Sequence, residues 1–380
     1  MDPNFRNRDY SLSFCTVCMN RLHHLKETLP KNISDNSDEP DIEFVVLDYH
    51  SGDGLGEWMK ENMQDQISRG LVSYYRTDER EDFDRAHSRN MAFRLARGEI
   101  LCNIDADNFT GRGFAAYLKR QFRENDDIFL CAGDATSQAA NSNVLGRISL
   151  LKKDFILTEG FDEFMKNYGF EDQDLINRLE AAGRRKQIIS DPSFLRSISH
   201  QVDERIENEF LLKNLRSLLV NYINPSSSEL IFLLKNNQVI RGTLINNYTV
   251  NSDKKEFALK YTKPAYEFSL LHDEVLRQEF SATGQDFLIY DKGEKEMFRY
   301  NRLLKCYDLI RPGGTRPFYR ITELPLIREA VFFFSQITNR IRMASNLHKR
   351  AVAVNNANYG RGTAYKNFNL AHPVVLETLS

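Results

Sequence analysis

The sequence predicts an α/β fold: a mainly parallel sheet with helices on both faces, followed by a smaller β-rich module. Three observations carry this reading. In roughly the first 200 residues, apolar runs of strand length alternate with segments of helical period. Those apolar runs end in polar turns where Asp, Arg and Gly gather. Beyond "NPSSS" (224–228) the texture changes to short alternating strands such as "ELIFLLK" and "QVIRGTLI".

The elements follow in order. "SLSFCTVCM" (11–19) reads as a strand and "LHHLKETL" (22–29) as a helix. "DIEFVVLDYHS" (41–51) is a second strand entering a polar turn, and a helix carrying Trp58, Met59, Met63 and Ile67 ends at Gly70. "LVSYY" (71–75) is a strand, and "DRAHSRNMAFRLARG" (84–98) is a helix closed by Gly98. The strand "LCNI" (101–104) then runs into Asp105 and Asp107. Thr110 reads as the start of a helix with Phe114, Tyr117, Leu118 and Phe122 on one face. Strands follow at "DIFLCAG" (127–133) and "LGRISLLKK" (145–153), then a helix at "DQDLINRLEAAG" (172–183) capped by Gly183, and "RKQIIS" (185–190). Residues 205–223 are expected as an amphipathic helix with Ile206, Phe210, Leu215, Leu218 and Tyr222 on its apolar stripe. The expected division is 1–224 for the α/β domain and 225–322 for the β-rich module. A C-terminal helix and a Gly-punctuated loop in 323–380 then pack back on the first domain.

Composition excludes several classes. At 380 residues, 41% hydrophobic and 27% charged, the chain is an ordinary globular protein. Its net charge of −2 recommends neither nucleic acid nor an anionic surface as a bulk partner. The N-terminal "MDPNFRNRDYS" lacks the apolar core of a signal peptide and no stretch reaches membrane-span length, so a cytoplasmic location is expected. Peripheral association is the one membrane contact left open. Five cysteines fit a reducing compartment. Cys15 and Cys18 lie three apart on a strand, hence on opposite faces, and read as small core residues rather than a disulfide or metal pair.

The chemistry concentrates at strand ends, where open α/β sheets bind ligands. Asp105 and Asp107 repel each other unless a positive group lies between them or they face different partners; a divalent cation carrying substrate phosphates meets that need. Arg21 follows the first strand, Asp48 ends the second, and Arg85 and Arg89 lie on the helix before the Asp105 strand. Arginines there suit a diphosphate, and Asp48 a base or ribose. In "EGFDEFMKNYGFEDQDLINRLEAAG" (159–183), Tyr168, Gly169 and Phe170 lead into Glu171 and Asp172 at a helix start. Acids there complement the helix dipole. An aromatic loop before them also suits a sugar platform beside a base.

These segments together resemble a family 2 glycosyltransferase of the GT-A fold, with features similar to the β-1,4-galactosyltransferases and chondroitin-polymerase domains. "VVLDYHSGDG" resembles the nucleotide-binding strand end and "ARGEILCNIDADNF" the strand into the DxD motif. "MNRLHHL" and "FDRAHSRNMAF" resemble segments contacting uridine and diphosphate, and "GFDEFMKNYGFEDQDLINRL" the acceptor and base segment. The resemblance covers 11–200 and fades over 225–320. It implies that Asp107 binds metal, Asp105 contacts donor sugar or ribose, Asp172 is the catalytic base, and Glu171 orients the acceptor beside Tyr168 and Gly169. His200 in "SISH" is implied as a second metal ligand, with Mn²⁺ favoured over Mg²⁺. Two departures stand out. Phe170 replaces the second glycine of the galactosyltransferase turn, and Ser197 lies where they carry a methionine ligand. The expectation is an inverting, metal-dependent transferase that moves a sugar from a UDP-sugar to a saccharide or glycoconjugate acceptor in polysaccharide or glycoconjugate synthesis. The other class considered is an inactive nucleotide-sugar-binding or scaffold subunit.

Overall fold

The computed structural model describes residues 9–133, 142–166, 168–199, 202–224, 227–246, 266–270, 278–283, 285–291 and 294–378. The chain divides into two units, Met1–Val202 with Ile341–Ser380, and Asp203–Arg340.

The first unit is built on a sheet of nine strands. Its central strands are β1 (Leu12–Cys18), β2 (Ile42–Tyr49), β3 (Val72–Thr77) and β4 (Ile100–Asn103), joined in parallel in the order β3-β2-β1-β4. Beyond β4 come β7 (Ile148–Leu151), β6 (Ile128–Cys131) and β8 (Arg185–Ile188). Beyond β3 come β19 (Gly362–Lys366) and β20 (Pro373–Leu376). Only β7 and β19 run against the rest. A small separate pair, β5 (Asn108–Phe109) with β9 (Arg196–Ser197), crosses the exit of β4.

Strand residues alternate between two cores, as a sheet covered on both faces requires. Leu12, Phe14 and Cys18 of β1 join the core under helices α1 (Leu22–Asn36), α2 (Leu55–Asn62), α3 (Gln64–Ser68) and α5 (Phe114–Glu124). Cys15 and Val17 join the other, under α4 (Arg85–Leu95), α6 (Lys152–Leu157) and α7 (Glu171–Ala181). Cys15 and Cys18 therefore face opposite ways, and all five cysteines are buried. Two boundary expectations are corrected. Gly113, in the left-handed region at φ 76°, is the N-cap of α5, while Thr110 bonds to Asn32 and Asn36 of α1. Helix α4 ends at Leu95; Gly98 instead lies against β1, where a Cβ would come within 2.6 Å of the Ser13 backbone nitrogen.

The C-terminal segment is stitched onto this unit. Glu159 accepts backbone N–H bonds from Asn355, Asn356 and Ala357, and β19 pairs with β3. Buried Asp162 accepts two bonds from Arg342 and one from Asn346, and Asn346 also donates to Asp174 on α7.

In the second unit the expected 205–223 helix does not form. Two short helices, α8 (Val202–Ile206) and α9 (Phe210–Asn214), give way to a strand, β10 (Leu215–Asn224). It is followed by β11 (Ser227–Leu234), β12 (Gln238–Asn246), β13 (Tyr266–Leu270), β14 (Gln278–Thr283), β15 (Asp286–Asp291), β16 (Glu294–Asn301), β17 (Cys306–Arg311) and β18 (Gly314–Ile321). Pairing is antiparallel throughout, in the order β11-β10-β18-β17-β16-β15-β14-β12-β13, and β11 also pairs with β12. That last pairing closes eight of the strands into a barrel, with β13 continuing along β12 past the short β14 contact. Leu219, Ile231, Phe287, Phe298, Leu309 and Phe318 fill the interior. A helix, Leu324–His348, follows; its Phe334 ring packs 4.9 Å from Phe232. Among the described residues no helix is long and apolar enough to cross a membrane.

Candidate functional site

The carboxyl ends of β1, β2 and β4 open on one edge of the first sheet, and the acidic residues gather there. Helix α4 starts at Asp84, whose side chain accepts from the His87 N–H, and it is buried along nearly its whole length. This burial places the Arg89 guanidinium, 5% exposed, inside the edge. Arg89 Nη1 donates to Glu171 Oε1 at 3.1 Å and to Asp172 Oδ1 at 2.8 Å, while Nη2 donates to Asp105 Oδ1 at 3.1 Å. One guanidinium thus gathers three of the carboxylates expected at the site. Arg89 was expected at a diphosphate; in the structure it orders the acids.

Asn103 and Gly146 complete this cluster. Asn103 Nδ2 donates to Asp105 Oδ1 and to the Gly146 carbonyl. A Cβ on Gly146 would sit 2.7 Å from Asp105 Oδ2, 2.9 Å from Arg89 Nη2 and 3.3 Å from Asp172 Oδ2, so only glycine leaves room for the acids. Next to it Arg147 is fully buried, with its Nη2 donating to Asn108 Oδ1 at 3.1 Å. Asn108 Nδ2 in turn donates to Asp107 Oδ1 at 2.8 Å. Arg147 therefore reaches Asp107 through one amide. Its Nε and Nη1 have no hydrogen-bond partner among the described residues.

The electrostatics follow from this crowding. Burial pushes the Asp172 carboxyl up to about 7; Arg89 opposes the rise, and Glu171 and Asp105 add to it. Burial also raises Asp105, but Arg89 and the Asn103 amide outweigh it and leave that carboxyl below its usual range. Burial presses the Arg147 guanidinium down to about 10. Glu171 Oε2 is buried without a hydrogen-bond partner among the described residues. Four carboxylates (Asp105, Asp107, Glu171, Asp172) face the two buried cations Arg89 and Arg147. No three of these acids bring their ligand oxygens within 4.8 Å of one another, so a divalent cation here would rest on one or two carboxylates and take its remaining oxygens from substrate phosphates.

The aromatic loop lies beside the acids. Arg85 stacks 4.5 Å over the Tyr168 ring and 5.2 Å from Phe83. Gly169 and Phe170 both take positive φ, 100° and 69°. A bulky residue held there costs roughly 1–3 kcal/mol. That turn puts Glu171 and Asp172 in the first turn of α7, at the positive end of its dipole. The helix is held from behind by Arg178, which pairs with Asp174 and donates to the carbonyls of Thr158 and Gly160.

The other expected residues are spread along the same edge. Asp48 is fully buried and accepts from Tyr74 Oη at 2.7 Å, the Ser51 N–H at 2.8 Å and Arg76 Nη1 at 3.0 Å, so its oxygens brace the turn after β2. Arg21 is the N-cap residue of α1, next to the turn that Asp53 joins by accepting from the Leu22 N–H. His200 lies outside the described residues; the chain before it runs along the acidic turn, with the Ile198 N–H donating to the Asp107 carbonyl at 2.8 Å. Asn103, Gly146 and Arg147 were not found from the sequence. The one local signal was a Gly-Arg pair entering β7.

A largely parallel sheet with an acidic turn after β4 and a Glu-Asp pair brought against it defines the GT-A, or nucleotide-diphospho-sugar transferase, class of fold. Residues 13–184, a little under half of the chain, match the family model Glycosyl transferase family 2. Several solved structures are similar. The mannosyltransferase PcManGT from Pyrobaculum calidifontis, in complex with GDP-Man and Mn²⁺, is 19% identical over 49% of this chain and 56% of that one, with a TM-score of 0.41. S. aureus TarS 1–349 in complex with UDP-GlcNAc is 16% identical over 53% and 61%, with a TM-score of 0.41. GalNAc-T7 with UDP, GalNAc and Mn²⁺ is 12% identical over 82% and 79%, with a TM-score of 0.39. The chain thus spans little more than half of the first of these. No curated protein matches it.

Proposed function

We propose that the chain is an inverting, divalent-metal-dependent glycosyltransferase that moves a sugar from a UDP-sugar to a saccharide or glycoconjugate hydroxyl. The observation that carries the reading is the Asp105–Glu171–Asp172 cluster on Arg89, because it brings the donor-side acid within one guanidinium of the proposed base. Asp107, with His200 as the proposed second ligand, would hold the divalent ion, Mn²⁺ rather than Mg²⁺. When bound, that ion offsets the charge of the leaving diphosphate.

The chain's own residues supply the rest. Arg85 and Arg21 line the donor edge, with Asp48 shaping its nucleotide end. Asp105 meets the donor sugar or ribose. Glu171, Tyr168 and Gly169 orient the acceptor. Asp172 Oδ takes the proton from the acceptor hydroxyl as its oxygen attacks the anomeric carbon; the bond to the diphosphate oxygen breaks and UDP leaves. Attack from the opposite face turns an α-linked donor into a β-linked product. A carboxyl near 7 is matched to accepting that proton at neutral pH.

The test is UDP release from a panel of UDP-sugars with saccharide acceptors, with Mn²⁺ and with a chelator. Release that needs both donor and metal supports the reading. UDP-sugar binding with no turnover under any condition supports a scaffold subunit instead.

A further inference from the structure

The barrel of the second unit carries a feature the transfer reaction does not use. The turn between β16 and β17 displays Leu303 at 89% exposure and Leu304 at 54%. The turn is preformed: Asn301 Oδ1 accepts from the N–H groups of both leucines, Asn301 Nδ2 donates to Asp308 Oδ2, and Lys305 takes a φ of 51°. Two large apolar side chains are therefore held outward by a braced turn. The two leucines are adjacent and form one small apolar tip rather than single scattered residues.

Cations surround them. Arg302 and Lys305 flank the leucines and are exposed. The register places other loops at this same end of the barrel. Cys306 pairs with Asn301 and with Tyr319, so β18 exits here, carrying exposed Arg320 and leading to exposed Leu324. Val220 pairs with Tyr319, and Leu215 with Leu234, so the turn carrying exposed Lys235 opens here too. The acids of this rim are Asp286, which accepts from the Tyr300 N–H, Asp308, which accepts from Asn301 Nδ2, and Glu323, which accepts from the Thr322 N–H. The rim is locally basic on a chain whose net charge is −2.

We propose that this end of the barrel docks on an anionic lipid surface, with Leu303 and Leu304 entering the headgroup–acyl boundary and the cations meeting lipid phosphates. The shape favours lipid over a protein partner. A two-leucine tip offers far less area than the roughly 800 Å² per side of a stable protein interface. Insertion of apolar side chains with adjacent Lys and Arg suits a membrane surface, where the long basic side chains reach the headgroups.

The test is flotation of the full chain with phosphatidylcholine vesicles and with vesicles that also contain phosphatidylglycerol. The wild-type chain should float with the anionic vesicles and lose that binding in high salt. Leu303→Ser with Leu304→Ser should weaken binding about tenfold or more, and Arg302→Glu with Lys305→Glu should abolish the preference for anionic lipid. Circular dichroism checks that both variants fold; either alone suffices, since they alter different halves of the surface. Absence of flotation by the wild-type chain, or unchanged flotation of both variants, overturns the proposal. A wild-type dimer in size-exclusion chromatography that Leu303→Ser with Leu304→Ser dissolves, without flotation, makes the tip a chain–chain contact and also overturns it.

Discussion

Replacing Asp172 by Asn keeps the shape of the side chain and an acceptor for Arg89, and removes only its charge and basicity. The carboxyl titrates at about 7 in the folded chain against an ordinary 3.8, which corresponds to roughly 4 kcal/mol of folding free energy at most. The side chain is 21% exposed and shares Arg89 with Asp105 and Glu171, so about 2–4 kcal/mol is the expected range. The sign follows from the raised value. The folded chain holds the proton more tightly than the unfolded one, so this stabilisation is complete below about pH 4 and is lost as pH rises through about 7. Asn has no charge to bury. Asp172→Asn should therefore be more stable than wild type near pH 8, with the advantage shrinking toward pH 5. Transfer should meanwhile fall by about 10²–10⁴, the usual contribution of a general base. Urea unfolding across that pH range, beside steady-state transfer kinetics, reads both effects. A stability difference that does not change with pH refutes the electrostatic account, and wild-type transfer refutes the base assignment.

Three further outcomes follow from the same geometry. Asp107→Ala should remove metal-dependent UDP binding, read by calorimetry with UDP and Mn²⁺; unchanged affinity in a folded variant takes Asp107 out of the metal shell. Arg147→Met should leave stability unchanged or raised, since it removes a cation buried against its hydration, while Mn²⁺ affinity falls about tenfold because Asn108, which donates to Asp107, loses its Arg147 donor; denaturation midpoints and Mn²⁺ titration measure the two separately. Arg342→Ala should destabilise the first unit by about 2–4 kcal/mol, because buried Asp162 loses its charged partner, and urea unfolding measures the loss.

The α/β unit was legible because its strands are buried on both faces and its helices on one, so period and apolar run length report directly on the elements. The acids at the ends of β2 and β4, and the Glu-Asp pair of α7, were legible for a related reason: strand ends are local in sequence. Residues 205–223 misled because Ile206, Phe210, Leu215, Leu218 and Tyr222 fit a helical stripe. The run Leu218, Leu219, Val220 instead lies buried in β10 between β11 and β18, and tertiary pairing overrode the local pattern. Closure of the barrel rests on the pairings of β10 with β18 and of β12 with β14, which join strands that are not neighbours in sequence and which no local period encodes. Gly146 and Arg147 escaped notice because their partners, Asp105 and Asn108, are reached only through the fold. Their residue types advertise nothing: a glycine before a strand reads as a turn, and an arginine reads as surface.

Inverting transfer at the Arg89 cluster is tested most directly by the anomeric configuration of the product. Nuclear magnetic resonance of the saccharide formed from an α-linked UDP-sugar, with wild type and with Asp172→Asn under the same Mn²⁺ conditions, gives the answer in one experiment. The account predicts a β-linked product from wild type and almost none from Asp172→Asn. An α-linked product, or equal product from both chains, contradicts it.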